Sequence, residues 1–520
     1  MELKNIFFTA FISLAILSCS GDDNGGTTST PEPENQNPTV SFVSPANAPV
    51  GGPSVWNTVV VELTANDSDG EVAKVEFFVD GAKQGEATTA PYNFDWDTKT
   101  VEDGSVELKA TVTDDEGAIV TEAINVNVYN VLLDYDTYEG YFSDDASTLN
   151  YTYITSPAPE KEILFITQVT GAAFKEKVLR PDDFEGETFD VHFLQYVKGD
   201  MNEGEITTYH GVTPGIFNPK PSQSIDFGNE LGDAAVTFSN VPEHDYAMIF
   251  SGGNTNPIDE GTERSFTIYE NFDIGYIYLQ SNGEGSYLAS PFSVDNHDLL
   301  LDQMNTSMQG YTFIDDDLNS TASFLVQGHT SSGRFSPSTT VYRQNTVLNG
   351  ASFEANFHVP NEADNVFDHY YTNARLQANN KTYVHEAYNA VLTSMKKMDA
   401  TLVTTNRTMS QLDVTATSGD DFDFLSMTSQ IAASDDFNFV WRSYSADDKL
   451  SFPPIPTEVV TATSEVFNAT DIVFKDASIV LLLEDIDVFS GYSDYRDVQF
   501  GRKTEDLDRE ERIYVFEVFQ

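Results

Sequence analysis

The sequence is poor in cysteine and in the basic residues lysine and arginine. Cys19 is the only cysteine among 520 residues, so no disulfide can form within the chain. Lysine and arginine together number 27 against 83 aspartate and glutamate residues, which gives a net charge of −56. Because nucleic-acid phosphates repel such a chain, the composition excludes nucleic acid as a partner. The same repulsion argues against direct adsorption to anionic lipid.

Motifs of several enzyme classes are also missing. His385-Glu386 opens like a zinc-protease helix, but Asn389 stands where that motif needs its second histidine. The sequence contains no G-x-S-x-G elbow and no phosphate-binding P-loop. We therefore name no catalytic residue and favour a non-catalytic protein. Paired carboxylates cannot be picked out by eye among 83 acidic residues, so an unrecognised extracellular glycoside hydrolase stays an alternative.

The N-terminus has the pattern of an export signal. Lys4 precedes an apolar stretch over residues 6–17, and residues 1–18 therefore read as a signal peptide. The ending Ile16-Leu17-Ser18-Cys19 resembles the lipobox of bacterial lipoproteins. That resemblance implies cleavage before Cys19 and acylation of its thiol, so that buried acyl chains anchor the protein.

The residues that follow the cysteine indicate where in the cell envelope the protein is located. Ser20-Gly21-Asp22-Asp23-Asn24 resembles the acidic tag that sends Bacteroidetes lipoproteins to the outer face of the outer membrane. The resemblance implies a lipid-anchored protein of the outer membrane that faces the cell exterior. We expect residues 19–37, which contain the lipidated cysteine and a Gly, Thr, Ser and Pro-rich stretch, to form a flexible linker.

Short β-branched runs separated by Asp-Gly and Glu-Gly turns predict an Ig-like β-sandwich over residues 38–131. The segment from Asn66 to Gly81 (NDSDGEVAKVEFFVDG) resembles the bacterial Ig-like domain found beside chitinases and other polysaccharide-degrading enzymes. Ala90 to Trp96 and Ala110 to Asp114 match later strands of that domain in the same order. The resemblance implies an extracellular module that serves as a spacer or a binder.

Strand patterns continue beyond the Ig-like segment, and no family is recognised there. We divide this region into a β-rich domain over residues 132–292 and a β-rich domain with minor helix over residues 293–520, although 132–520 could also be one two-sheet unit. Apolar spacing predicts helices over residues 298–308 and 384–398. The predicted fold class is mainly β, an N-terminal Ig-like β-sandwich followed by a larger β-rich region with one or two helices.

Four carboxylates predict a metal site in the Ig-like segment. Asp67 and Asp69 follow the second strand, whereas Asp114 and Asp115 follow the sixth. Those two loops lie at the same end of an Ig sandwich, so their oxygens could hold Ca²⁺. The alternative is that each aspartate only stabilises a tight turn by bonding its own backbone.

Aromatic side chains suggest a ligand. The alternating aromatics around Trp96 and Trp441 are expected in the core, whereas Trp56 lies in a Gly/Pro/Ser-rich loop and is the candidate ligand-binding residue. We therefore predict a cell-surface lipoprotein that binds a polysaccharide or another extracellular ligand without catalysis. The main alternative is an adhesion or structural protein of the envelope with a protein partner.

Overall fold

The computed structural model divides the chain into two compact units, Met1–Val128 and Tyr129–Gln520. It describes residues 34–47, 51–198, 202–221, 225, 227–249, 258–271, 274–331, 336–379, 381–405, 413–418, 423–434, 437–446, 449–450, 452–463, 479–486, 491–503 and 511–519. Most of these residues lie in strands, so the predicted mainly β fold class is confirmed. Cys19 and the acidic tag lie outside the described residues, and their roles stay predictions.

The described part of the first unit contains eight strands in two sheets, in which most neighbouring strands are antiparallel. The strands are β1 (Thr39–Ser44), β2 (Ser54–Val55), β3 (Thr58–Asn66), β4 (Val72–Val79), β5 (Ala82–Ala87), β6 (Tyr92–Asp97), β7 (Gly104–Asp114) and β8 (Ile119–Val128), with a 3₁₀ turn at Thr98–Thr100. One sheet has the order β1-β3-β6 and the other β2-β8-β7-β4-β5. This arrangement is the β-sandwich that the alternating strand pattern predicted.

Local sequence explains why these strands turn where they do. Asp80 and Gly81 both have positive φ, 44° and 77°, which is the backbone of the tight hairpin between β4 and β5. Residues pointing inward from both sheets then form one core, in which Val61, Phe77 and Leu108 are fully buried. Trp96 is 2% exposed in this core, as its alternation along β6 predicted.

The second unit contains the remaining strands. Its first half comprises β9 (Val131–Asp136), β10 (Thr148–Thr155), β11 (Ile163–Val169), β12 (Lys175–Leu179), β13 (Phe189–Val197), β14 (Asn202–Val212), β15 (Gly215–Phe217), β16 (Glu230–Ser239), β17 (Tyr246–Ile249), β18 (Glu263–Tyr269), β19 (Ile274–Ser281), β20 (Glu284–Pro291) and β21 (Asn296–Leu300). Its second half comprises β22 (Met308–His329), β23 (Ser338–Pro360), β24 (His369–Ala378), β25 (Lys381–Tyr388), β26 (Ala400–Thr405), β27 (Asp413–Ser418), β28 (Phe424–Ser434), β29 (Phe437–Ser445), β30 (Lys449–Leu450), β31 (Ile479–Ile486) and β32 (Glu511–Phe519). Two α-helices are described, α1 (Thr457–Ala462) and α2 (Tyr492–Gln499), with 3₁₀ turns at Leu301–Gln303 and Glu362–Asp364.

A twelve-stranded sheet forms the framework of this unit. Its order is β11-β10-β13-β14-β29-β28-β31-β32-β25-β24-β22-β23, and β14 and β29 are parallel neighbours. Smaller sheets pack on it to form separate cores. The sheet β12-β9-β15 buries Tyr135 and Phe217 against residues of β10, β13 and β14. Trp441 on β29 is fully buried in a second core, as its alternating pattern predicted.

The predicted helices over residues 298–308 and 384–398 are wrong. Residues 298–300 end β21 and residue 308 begins β22, while residues 384–388 belong to β25. In β25 the backbone of Val384 and His385 pairs with β24 on one side and β32 on the other, so tertiary pairing replaces the local helical spacing. The helices α1 and α2 lie elsewhere, at residues 457–462 and 492–499.

Residue 292 lies inside the second unit. Strands from both sides of it enter the twelve-stranded sheet, and one core joins Tyr276 and Tyr287 to Phe313 and Phe357. The division of residues 132–520 into domains therefore stays a prediction. Neither described helix has the length and apolarity that a membrane-spanning helix requires.

Candidate functional site

The structure brings the two acidic loops of the first unit together. The amide of Asp115 donates to the carbonyl of Glu71 over 3.0 Å, and the amide of Glu71 donates to Asp115 Oδ1 over 2.9 Å. Gly70 lies between two of the predicted ligands. A Cβ at this position would approach Asp115 Oδ1 to 2.4 Å and Asp67 Oδ2 to 2.7 Å. Only glycine therefore fits between these two carboxylates without rearrangement.

Several oxygens of this cluster already accept hydrogen bonds from the protein. Asp114 is 2% exposed, and its Oδ1 accepts from the amides of Glu116 and Ala118 while its Oδ2 accepts from Asn35 Nδ2 at 2.9 Å. Burial raises the pKa of Asp114, but these hydrogen bonds outweigh it and lower the pKa overall. Asp69 Oδ2 accepts from the amide of Gln36. The bonds from Glu116 and Ala118 to Asp114 match the alternative in which an aspartate stabilises its own turn, whereas those from Asn35 and Gln36 join segments far apart in the sequence.

Asp67 differs from its neighbours. Both of its carboxylate oxygens are shielded from solvent, and neither accepts a well-formed hydrogen bond from the described residues. Desolvation raises the pKa of Asp67, and the nearby charge of Asp69 adds to this, against partial opposition from the amides of Asp69 and Ser68. Among the described residues, no group of three or more His, Cys, Asp or Glu side chains has the arrangement of a metal site. Calcium binding stays a prediction for this cluster.

Trp56 is half-buried directly after β2, so its role as a ligand-binding residue also stays a prediction. None of the tyrosine, phenylalanine or tryptophan side chains whose exposure is described is exposed. Among these residues there is therefore no fully exposed aromatic platform of the kind that often binds sugar rings.

A polar cleft on the second unit was not predicted from the sequence. It has a volume of about 420 Å³ and lies against the sheet β12-β9-β15. Its lining includes Asp134, Asp136, Lys175, Lys177, Ile216 and Asn218. Two of the chain's few lysines thus lie beside three carboxylates, the third being that of Glu176, together with an amide and an aliphatic side chain.

Strand register places these side chains in rows. Lys177 on β12 pairs across to Asp134 on β9, which pairs in turn with Ile216 on β15. Directly paired residues point to the same face, so the row presents a cation, an anion and an apolar group. Ile216 is 52% exposed. The ammonium of Lys177 lies 3.9 Å from Asp134, a contact loose enough to leave both groups open to a ligand.

The neighbouring row is more tightly paired, and the sheet beneath it is firmly packed. Lys175 Nζ lies 2.6 Å from Asp136 Oδ1. On the opposite face, the rings of Tyr135 and Phe217 are buried with centroids 5.6 Å apart, and the Tyr135 hydroxyl lies 2.7 Å from Thr152 Oγ1. The cleft therefore rests on a rigid core rather than on a loop. The aspartates of residues 134–136 and the lysines of residues 175–177 were the signal in the sequence, but nothing local shows that these segments pair.

A buried network in the second unit has the connectivity of a serine hydrolase triad. His210 Nδ1 lies 2.8 Å from Asp190 Oδ2, and His210 Nε2 lies 3.0 Å from Ser443 Oγ. Ser443 is fully buried, so no substrate carbonyl can reach its hydroxyl in this structure. The arrangement holds β13, β14 and β29 together.

Three of the solved structures that resemble parts of the chain have low sequence identity to it and low TM-scores. The fibronectin(III)-like modules of Clostridium thermocellum CbhA are 26% identical over 17% of this chain and 96% of theirs, with a TM-score of 0.15. SGBP-B of the Bacteroides ovatus mixed-linkage glucan utilization locus, solved in complex with a mixed-linkage heptasaccharide, is 11% identical over 63% of this chain and 93% of its own, with a TM-score of 0.16. A tetra-tandem repeat in the extending region of a large adhesion protein is 12% identical over 86% of this chain and 94% of its own, with a TM-score of 0.15.

At such low TM-scores, none of these likenesses carries an argument about what this chain does. No curated protein matches it. The family match is confined to the first unit and agrees with the resemblance seen in the sequence. Residues 38–110 match the family model of a bacterial Ig domain, and this part of the chain is a bacterial Ig domain.

Proposed function

We propose that this chain is a non-catalytic, extracellular polysaccharide-binding protein that an acylated Cys19 holds at the outer membrane. The observation that carries the proposal is the row Lys177–Asp134–Ile216 in the polar cleft. The bacterial Ig domain over residues 38–110 would then act as a spacer between the anchor and the binding unit. The anchor itself rests on the sequence pattern at residues 16–24.

The chemistry of the row suits a sugar. Each sugar hydroxyl both donates and accepts, so it can donate to the carboxylate of Asp134 and accept from the ammonium of Lys177. Ile216 offers an exposed aliphatic surface against the C–H face of a ring. A net charge of −56 would repel acidic polysaccharides, so a neutral polysaccharide is the expected ligand.

Affinity electrophoresis of residues 20–520 against neutral and acidic polysaccharides tests this function. We expect retardation by a neutral polysaccharide without release of reducing sugar. Ile216→Ser should abolish the retardation, whereas Leu179→Ser is the matched control. Leu179 is also an exposed aliphatic residue of the same sheet, 68% exposed, but it does not line the cleft. Retardation that survives Ile216→Ser would place binding elsewhere, and release of reducing sugar would contradict the non-catalytic function.

An adhesive or structural role with a protein partner is the second candidate. It is favoured by the absence of exposed aromatic side chains among the residues whose exposure is described. This role predicts that no polysaccharide in the panel retards the purified chain. It also predicts that cells lacking the gene attach poorly to surfaces while they grow normally on every polysaccharide tested.

A further inference from the structure

Three side chains of the second unit meet around one carboxylate. Asp315 and Asn319 belong to β22, and Lys397 lies in the connection between β25 and β26. Lys397 Nζ lies 2.6 Å from Asp315 Oδ2, and Asn319 Nδ2 lies 2.8 Å from the same oxygen. The lysine amine and the asparagine amide therefore contact the same carboxylate oxygen.

These groups are largely shielded from water, although Lys397 Nζ also lies 2.9 Å from the exposed carboxylate of Asp317. Asn319 is fully buried, and Asp315 is 8% exposed. The side chain of Lys397 is only 17% exposed, and its Nζ lies 5.5 Å from the centre of the Tyr383 ring. Water is the nucleophile that would otherwise hydrolyse an activated amide, so its exclusion favours attack by an amine.

Hydrogen bonds donated by its nitrogen fix the orientation of the Asn319 side-chain amide. Nδ2 donates to Asp315 Oδ2 and to the carbonyl of Asp317, both at 2.8 Å. Within the described part of the chain, no donor reaches Asn319 Oδ1. The leaving nitrogen therefore faces the carboxyl group that can protonate it, and the carbonyl group is not held by a competing hydrogen bond.

Asp315 can also activate the amine. A lysine ammonium is not a nucleophile until it loses a proton, and Asp315 contacts Nζ through both of its oxygens, at 2.8 and 2.6 Å. Proton transfer from Lys397 to Asp315 across these short contacts makes the amine nucleophilic. It leaves a neutral amine beside a carboxylic acid.

From this geometry we propose that Lys397 and Asn319 form an intramolecular isopeptide bond, with Asp315 as the catalytic acid and base. The neutral Nζ attacks Asn319 Cγ, and a C–N bond forms. Asp315 delivers its proton to Nδ2, the Cγ–Nδ2 bond breaks, and the nitrogen leaves as ammonia. Asp315 accepts the second proton of Nζ, and ammonia departs with it as ammonium. No oxidant, reductant or cofactor is required.

The bond would cross-link β22 to the segment before β26. β22 lies near one edge of the twelve-stranded sheet and pairs with β23 and β24. A covalent tie at this position would resist separation of that edge under pulling force or proteolysis. The inference does not depend on which ligand the protein binds.

The intact mass of purified residues 20–520 tests the proposal directly. We expect the mass to be lower than that of the sequence by one ammonia, and a digest to contain a branched peptide joining Lys397 to Asn319. Lys397→Arg and Asp315→Ala should each restore the full mass. Lys396→Arg is the matched control, because Lys396 is the adjacent lysine and pairs with Glu511 instead, so the ammonia loss should persist.

Three outcomes overturn the proposal. A wild-type protein of full mass shows that the bond does not form, whether or not any variant folds. Loss of one water instead of one ammonia shows that Lys397 has joined Asp315. A missing ammonia that persists in Lys397→Arg places the reaction at another residue. None of these results bears on polysaccharide retardation, so failure of this inference is distinguishable from failure of the proposed function.

Discussion

His192 stacks on Tyr153 in the second unit, with ring centroids 4.5 Å apart and an interplanar angle of 26°. The ring nitrogens of His192 lie 3.0 Å from Thr155 Oγ1 and 3.1 Å from Thr208 Oγ1. Burial lowers the pKa of His192 to about 3, and nearby Asp190 offsets only part of this effect. The folded protein therefore holds this histidine neutral.

The first prediction is a loss of stability of the second unit in acid. In the unfolded chain His192 has its ordinary pKa of 6.5 and is protonated below that pH. In the folded chain it stays neutral until about pH 3. Its contribution is complete above pH 6.5 and falls by about 1.4 kcal/mol per pH unit between those values. Denaturant unfolding across this range checks the slope. His192→Gln, which retains hydrogen bonding, should flatten it, and an unchanged slope would assign the acid effect to other groups.

A second prediction concerns α2. Arg496 is buried and donates to the carbonyl of Gly211, while the Tyr492 hydroxyl donates to the carbonyl of Tyr444 over 2.8 Å. Arg496→Ala should lower the free energy of unfolding of the second unit by about 2 kcal/mol, because a partly buried acceptor loses its donor.

Lys503→Ala is the control for this change. Lys503 is 51% exposed and pairs with Asp494 at the surface, so its removal should cost at most about 1 kcal/mol. Urea denaturation of the two variants makes the comparison. Equal losses would mean that α2 is held by its surface charges rather than by the buried arginine.

Third, calcium should stabilise the bacterial Ig domain through Asp67. Ca²⁺ at about a hundredfold excess over its dissociation constant should add about 2.7 kcal/mol to the stability of that domain. Differential scanning calorimetry of the full mature chain, with Ca²⁺ and with EDTA, measures the effect. Asp67→Asn should remove it, whereas the exposed Asp95→Asn should not. Identical traces with Ca²⁺ and EDTA would show that these aspartates do not bind calcium and act only in turn formation.

Fourth, Cys19→Ser should release the protein from the membrane fraction. Without a thiol to acylate, no lipid chain is attached, and each buried methylene of such a chain is worth about 0.8 kcal/mol of anchoring. Cell fractionation together with labelling by a fatty acid checks this. Wild-type protein that takes up no label would disprove the lipidation, and Ser18→Ala, which keeps a small residue before the cysteine, should behave as wild type.

The sequence predicted the first unit well because its signals are local. β4 spans Val72–Val79, as the run of alternating apolar residues predicted, and the turn at Asp80-Gly81 follows directly. Each strand is short, and each turn residue adjoins it in the chain. The convergence of the loops at Asp67 and Asp115 was predictable in the same way, from the known ends of an Ig sandwich.

The polar cleft was not predictable because it depends on pairing between distant segments. Asp134, Lys177 and Ile216 become neighbours only when β9 pairs with both β12 and β15. The helix expected over residues 384–398 was wrong for a related reason. The apolar residues of a short segment fit both the helical and the strand repeat. Pairing with β24 and β32 makes this segment a strand.

The position of β32 has a consequence for how the protein reaches its native state. Glu511–Phe519 lies between β31 and β25, near the middle of the twelve-stranded sheet rather than at its edge. Without these residues the sheet is split into a seven-stranded part and a four-stranded part, and β31 and β25 each present an open edge. The framework cannot close before residues 511–519 have been made and have entered the sheet, so partly folded molecules must be kept from pairing with one another until then.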